Sequence, residues 1–322
     1  MKKRIIATLV AVALICLSGC SLDFLGDTSN GASGDSKFPK SSAAADGPMA
    51  GSGSLEEPYE IATAKQLDDI RNDMSAHYII TSDIDLSEYG SWVPIGDMLH
   101  PFTGSLDGQG HTISGLMIDN ASFNSWSIRS RENKTDDTNL PDLGLFGTLD
   151  VSAKVANVVF KDCSVKVSQW GASMSVGIIT GAIRYNQPST AQGPIISNCS
   201  TSGTIQISVE ENNAYFEDML YVGGICGNSV SIAMPNSITG CSNTAEISVV
   251  NTQPVHCGGI VGAWTAAAGD GALKGTITRC KNEGTITVSG ETAVYSGGII
   301  GYGNPGVQDC ENWGNISNTL TS

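Results

Sequence analysis

Positive charge is scarce in this 322-residue sequence: 17 Lys and Arg stand against 32 Asp and Glu, a formal net charge of −15. With Lys2, Lys3 and Arg4 set aside, 14 basic side chains face 32 acidic ones. Such a surface repels the phosphates of nucleic acid and of anionic membranes, which excludes nucleic-acid binding. Helical periodicity is nearly absent, and charged residues make up only 15% of the chain while glycine numbers 38, the balance of a fold dominated by turns. No Ser-His-Asp arrangement, HExxH helix or phosphate-binding loop is present, so the commonest hydrolytic and nucleotide-dependent chemistries have no carrier. The one sustained apolar run, Ile5 to Leu17, is too short for a comfortable membrane span. Cysteine is not lacking, but its count of nine excludes a complete disulfide framework. Cys16 leaves with a signal segment and Cys20 is set apart below, and the remaining seven cannot all pair.

What is present is a repeat. Val222-Gly-Gly-Ile-Cys-Gly227, Cys257-Gly-Gly-Ile-Val-Gly262 and Ser296-Gly-Gly-Ile-Ile-Gly301 are its clearest copies, and Val176-Gly-Ile-Ile-Thr-Gly181 is a degenerate one. Each is followed by an apolar residue three positions before a cysteine, at Cys199, Cys241, Cys280 and Cys310, and Cys163 begins the series. A constant unit joined by variable connections marks a solenoid. Within the units Ile205/Ile207, Ile247/Val249 and Ile286/Val288 alternate with polar residues, the period of a strand with one buried face. The expected architecture is all-β: a right-handed parallel β-helix with three short strands per rung and a short N-terminal capping helix. Cys163, Cys199, Cys241, Cys280 and Cys310 are expected to stack inside as small apolar residues. Asn243, Asn282 and Asn312, two positions after their cysteines, are expected to hydrogen-bond from rung to rung.

These Gly-Gly-Ile-x-Gly and Cys strands, together with Pro58-Tyr-Glu-Ile61, Asp83-Ile-Asp85, Trp92-Val-Pro-Ile-Gly96 and the segment from Phe102 to Ile113, resemble the GLUG repeats of bacterial surface proteins. Those include adhesin-like proteins and the region preceding the protease domain of IgA-specific metallopeptidases. The resemblance covers nearly all of residues 54–316 and implies a shared scaffold rather than a shared chemistry.

Three regions follow. Residues 1–19 read as a lipoprotein signal peptide, because Leu17-Ser-Gly-Cys20 resembles a lipobox in which Cys20 is the lipidated first residue. Residues 20–53, rich in Ser, Gly, Ala and Asp, form a lipid-anchored flexible linker with a reach of roughly 30 Å. Residues 54–322 form the parallel β-helix. In it Thr63-Ala-Lys-Gln66 fits a capping box for a short helix ending near Met74. The segment 119–142 reads as a long solvated excursion. In the final unit Trp313 and Leu320 are expected to fold across the stack, with completion by a second molecule, an end-to-end self-association, as the alternative.

The function these features favour is that of a lipid-anchored cell-surface protein, adhesin-like or ligand-binding and non-enzymatic. The membrane would be reached through Cys20, and the partner would be an extracellular protein or glycan. No cofactor and no metal is implied. Candidate contact residues are Trp170, Tyr215, Phe216 and Tyr295 on the connections at one corner, and Trp264 at the other; exposed aromatics serve as contact anchors. The alternatives are a carbohydrate-active β-helix enzyme, such as a polysaccharide lyase or glycosidase, and a structural envelope protein. Against the enzyme, Asp162 and Asp309, just before the first and last of the cysteines, lie four rungs apart or roughly 19 Å at about 4.8 Å per rung. A glycosidase pair needs about 5 to 9.5 Å. Asp83 and Asp85, which share a strand face, are the best remaining carboxylate pair.

Overall fold

The computed structural model describes residues 47–119, 142–168, 173–184, 195–208, 219–231, 237–251, 254–266, 275–290 and 293–320. The expected signal segment, most of the expected linker and nearly all of the 119–142 segment lie outside them. Every strand pairing is parallel, and four sheets carry the fold. An eight-stranded first sheet runs from Tyr59–Ile61 through His77–Ile80, Ser105–Asp107, Lys154–Ala156, Ile196–Ser197, Ser237–Thr239 and Thr276–Thr278 to Gly306–Gln308. An eleven-stranded second sheet holds the Ile-x-Val segments, among them Val159–Ser168, Ser200–Ser208, Glu246–Asn251, Ile286–Gly290 and Ile316–Leu320. Two five-stranded sheets flank the glycines. The pre-glycine sheet consists of Asp142–Leu143, Met174–Val176, Leu220–Gly223, Val255–Gly258 and Val294–Gly297. The post-glycine sheet consists of Phe146–Asp150, Thr180–Arg184, Cys226–Ser231, Val261–Ala266 and Ile300–Gly303. None of the four closes on itself. From the third unit onward each repeat of the sequence adds a strand to every sheet, except the last, Gly306–Leu320, which extends only the first two.

The expectation of three strands per rung is therefore corrected. The Gly-Gly-Ile segment is not one strand but a bend between two. At Gly223 an added Cβ would lie 2.1 Å from the Cys226 carbonyl oxygen, so the chain can fold back this tightly only without a side chain.

The alternation holds. Ile205, Ile207, Ile247, Val249, Ile286 and Val288 are all buried, and partners across the sheet match in register, Ile205 with Ile247 and Ile247 with Ile286. Burying each such side chain contributes about 1.5–3 kcal/mol. An exposed ion pair contributes about 0–1 kcal/mol, so the apolar columns set the register and surface charge only decorates it. Opposite charges face one another between the last two units, where Lys281 lies opposite Glu311 and the strands on either side bring Arg279 level with Asp309. Lys281 nevertheless pairs with Glu283 of its own unit at 2.8 Å, and Arg279 donates to Thr239 Oγ1 at 3.1 Å.

Two ladders run through the stack. Asn243 Nδ2 donates to Asn282 Oδ1 at 2.9 Å and Asn282 Nδ2 to Asn312 Oδ1 at 2.8 Å, while Thr201 Oγ1 donates to Asn243 Oδ1 at 2.9 Å. The cysteine ladder differs from expectation at its start. Cys199, Cys241, Cys280 and Cys310 occupy one column, but Cys163 pairs with Gly203, and the strand preceding it carries an extra residue between Phe160 and Cys163. Strand register on either side already sets Val158 opposite Cys199, five residues ahead of Cys163, so Val158 takes the column position, and the bulge with Asp162 at φ 53° comes after it. The corner between the first two sheets is built from stacked left-handed residues, Asn157, Asn198, Gly240, Arg279 and Asp309, with φ of 52° to 65°. Asn tolerates this conformation best, and Asn198 Nδ2 donates to Asn157 Oδ1 at 3.3 Å.

The N-terminal helix is present as Ala64–Asp68, continued by a 3-10 turn over Asp69–Asn72. Gln66 N–H donates to Thr63 Oγ1 at 3.2 Å, and Gln66 Oε1 accepts from the Ala62 N–H at 2.9 Å, one residue earlier than in an ideal capping box. Leu67 and Ile70 enter the core. The final unit does not fold as expected. Trp313 and Leu320 are 67% and 71% exposed; Lys281 Nζ sits 3.4 Å from the Trp313 ring centroid, and Leu320 continues its strand opposite Gly290.

The buried thiols should resist alkylation. Burial pushes Cys163 and Cys257 up to about 12, so little thiolate exists at neutral pH. Among the seven described thiols, Cys310, the one not fully buried, should be labelled first in the native protein. Peptide mapping after timed iodoacetamide treatment checks this; uniform labelling without denaturant would show that the column is open.

Candidate functional site

The two sheets flanking the glycines bring together side chains that are distant in sequence. On the pre-glycine sheet, the residue two positions before the first glycine of each motif forms one column: Asp142, Ser175, Tyr221, His256 and Tyr295. On the post-glycine sheet, the residue following the closing glycine forms another: Thr148, Ala182, Asn228, Ala263 and Tyr302. Because the Gly-Gly bend folds the chain sharply, the two columns meet in a seam.

One end of the seam is ionic. Arg184 holds Asp142 through two hydrogen bonds, Nε to Oδ2 at 3.2 Å and Nη2 to Oδ1 at 3.1 Å, and Thr148 Oγ1 donates to Asp142 Oδ2 at 2.8 Å. Asp142 is buried and Arg184 nearly so. Burial works against the guanidinium charge, but the Asp142 carboxylate more than offsets it, leaving Arg184 above its ordinary pKa.

The other end is aromatic. The His256 ring stacks on Tyr302 with centroids 4.2 Å apart and planes 10° from parallel. Tyr221 lies 5.5 Å away on one side and Tyr295 lies 5.2 Å away at 74° on the other. Tyr295 and Tyr302 meet edge to face at 5.6 Å, and each is 47% exposed. His256 is 3% exposed, its Nδ1 has no hydrogen-bond partner, and burial lowers its pKa to about 4. It is a neutral ring at physiological pH.

Of the residues anticipated from sequence, Tyr295 takes part in this site. Trp264 does not: it is 4% exposed and packs in the core, because its parity on its strand is opposite to that of Ala263 and Tyr302. Cys20, Trp170, Tyr215 and Phe216 lie outside the described residues. Tyr221, His256 and Tyr302 were missed, although all three stand at fixed offsets from the glycine motif and the column could be read from it. Asp162, considered for an enzymatic pair, sits in the bulge and not in the column of Asp309. Asp83 accepts from the Thr112 N–H at 2.9 Å and lies 3.2 Å from His111 Nδ1, and Asp85 accepts from the Ser87 N–H at 2.9 Å. Backbone hydrogen bonds lower both carboxyl pKa values, so the pair stays ionised and serves the turns.

No family model matches the sequence. A protein provisionally named a Gly-rich membrane protein, from Evansella cellulosilytica, is 33% identical over 138 residues, 41% of this chain and 14% of that protein. Halomucin from Haloquadratum walsbyi is 32% identical over 169 residues, 48% of this chain and 2% of that protein. The chain thus spans a small part of the curated relatives it matches. A crystal structure of a protein provisionally named an immunoglobulin A1 protease, from Bacteroides ovatus, superposes with a TM-score of 0.50 at 19% identity, covering 81% of this chain and 77% of that one. The fold is shared with that β-rich structure.

The ionic end of the seam should be intolerant of single truncation. Arg184→Ala leaves Asp142 buried without its partner and is expected to cost about 3–5 kcal/mol. The Asp142→Ala/Arg184→Ala double variant should recover part of the loss, as read from urea unfolding midpoints; a double variant as unstable as the two singles summed would mean that the pair is not coupled.

Proposed function

We propose that the protein is a lipid-anchored cell-surface protein of the GLUG-repeat kind, whose stack is a right-handed parallel β-helix and whose role is to bind an extracellular glycan or protein without catalysis. The all-parallel register, with successive units adding strands to the same sheets, supports the β-helix, and the handedness follows from the strong bias of parallel crossovers. The observation that carries the binding role is the Tyr295–Tyr302 pair. Two aromatic rings inclined at 67°, each half-exposed and seated on a buried third ring, form a rigid apolar contact point that loses little conformational freedom on binding. The membrane-protein name of one relative and the fold shared with an immunoglobulin A1 protease candidate accord with an envelope location. A non-catalytic role accords with the engagement of Asp83 and Asp85 in turn hydrogen bonds.

Glycan and extracellular-matrix arrays probed with the purified protein test the binding role. A specific ligand should be found, and Tyr295→Ala/Tyr302→Ala should weaken it at least tenfold with the unfolding midpoint little changed. Unaltered affinity would place the contact elsewhere, and polysaccharide cleavage would replace the non-catalytic reading. Anchoring has its own test: Cys20→Ser should shift the protein from the membrane pellet to the soluble fraction, and continued sedimentation with the membrane would exclude a lipid at that position.

A further inference from the structure

His256 is the only described histidine enclosed by aromatic rings, and its enclosure has one thin wall. Behind it lies the packed stack; on its outer side stand Tyr302, stacked face to face, and Tyr295, edge-on. Both belong to the last described unit, on strands Val294–Gly297 and Ile300–Gly303, and both are half-exposed. A neutral imidazole suits this setting. An imidazolium does not, because it would carry two N–H donors, and Nδ1 has no acceptor within reach.

The surroundings offer no compensating charge among the described residues. Strand Leu220–Gly223 presents Tyr221, strand Val294–Gly297 presents Tyr295, and strand Ile300–Gly303 presents Tyr302. Strand Val261–Ala266 brings Ala263 and Trp264, and strand Ile286–Gly290 carries no ionisable side chain. On strand Cys226–Ser231 the ionisable group is the Cys226 thiol, which burial keeps protonated. The nearest fixed charges along the seam, Arg184 and Asp142, satisfy each other two units away or more. The Tyr302 face attracts a cation, which offsets part of the cost, but one stacked ring supplies no acceptor for the second N–H.

We propose that His256 is an acid-sensitive latch: protonation of its ring parts Tyr302 and Tyr295 from the seam and opens strands Val294–Gly297 and Ile300–Gly303, leaving the earlier units closed. The sign follows from linkage. The ring binds its proton more weakly in the closed state, with a pKa of about 4 against an ordinary 6.5. Closure is therefore fully favoured above pH 6.5 and weakens as the pH falls from there to about 4. Over that window the open population should rise by up to roughly 100-fold. Solenoids permit such local opening because each unit contacts only its neighbours.

The test needs no ligand, so its outcome is independent of the binding role proposed above. In hydrogen–deuterium exchange on the full chain, corrected for intrinsic rates, peptides covering 294–303 should lose tens-fold protection between pH 7 and pH 4.5, while peptides covering 200–208 should not. In His256→Phe, which keeps an apolar ring, that loss should vanish. Equal acid-induced loss in His256→Phe, or flat protection in the unmodified protein, overturns the proposal. Should His256→Phe fail to fold, the imidazole Cε1 shifts of the four histidines decide. One titrating well below pH 5 together with exchange broadening of Tyr302 supports the latch, and four ordinary midpoints near 6.5 overturn it.

Discussion

The close approach of backbone to backbone at the Gly-Gly bends is the constraint on which the structure depends. At Gly259 an added Cβ would lie 2.2 Å from both the Gly298 carbonyl oxygen and Asn282 Cγ, and at Gly298 it would lie 2.1 Å from Asn312 Cγ. The bend of one unit is thus pressed simultaneously against the bend of the next and against an interior asparagine. Asparagine belongs there because its amide can do three things in one plane. It can accept from the unit before, donate to the unit after, and donate to a carbonyl two residues on, as Asn282 does to Gly284 at 3.0 Å. An apolar side chain of the same size would fill the space and leave the neighbouring asparagine amides and the backbone carbonyl without partners, at about 1–3 kcal/mol each. Glycine and asparagine therefore recur together, and the apolar columns fall into register behind them.

Much of this was legible because period-two alternation and fixed offsets survive without knowledge of the third dimension. The inward faces of Ile205/Ile207, Ile247/Val249 and Ile286/Val288, the asparagine ladder and the Thr63 helix cap all follow from local pattern. What was not legible came from features that leave the residue types unchanged while altering backbone count or direction. The register of the strands on either side gives the column position to Val158, five residues before Cys163, although Cys163 itself looks no different in sequence from Cys199. A glycine pair reads equally well as a weak strand or as a bend, and only the distances between neighbouring units decide.

The candidate site shows how a repeat acquires a local identity. Every unit supplies the same two seam positions, yet the occupants pass from Asp142 and Thr148, with Arg184 reaching in to Asp142, through Ser175, Ala182 and Asn228, to a cluster of one histidine and three tyrosines. The scaffold fixes where these side chains meet, because the bend is held by glycine contacts that do not involve them. Substitutions in the seam can therefore change its chemistry without disturbing the register. Trp264 illustrates the converse. It lies one position from the seam column, but the parity of its strand sends it into the core, where a large side chain is held by packing and is unavailable for contact.

The two ends of the seam also differ in how they respond to their environment, and burial explains the difference. Asp142 is the counter-charge of Arg184 and holds it through two hydrogen bonds, so the guanidinium charge and closure reinforce one another. His256 has no counter-charge among the described residues, so ionisation and closure compete. A stack in which each unit answers mainly to its neighbours allows these opposite couplings to coexist in one chain, with a charge-locked segment beside the Asp142 unit and a proton-sensitive segment at Val294–Gly303.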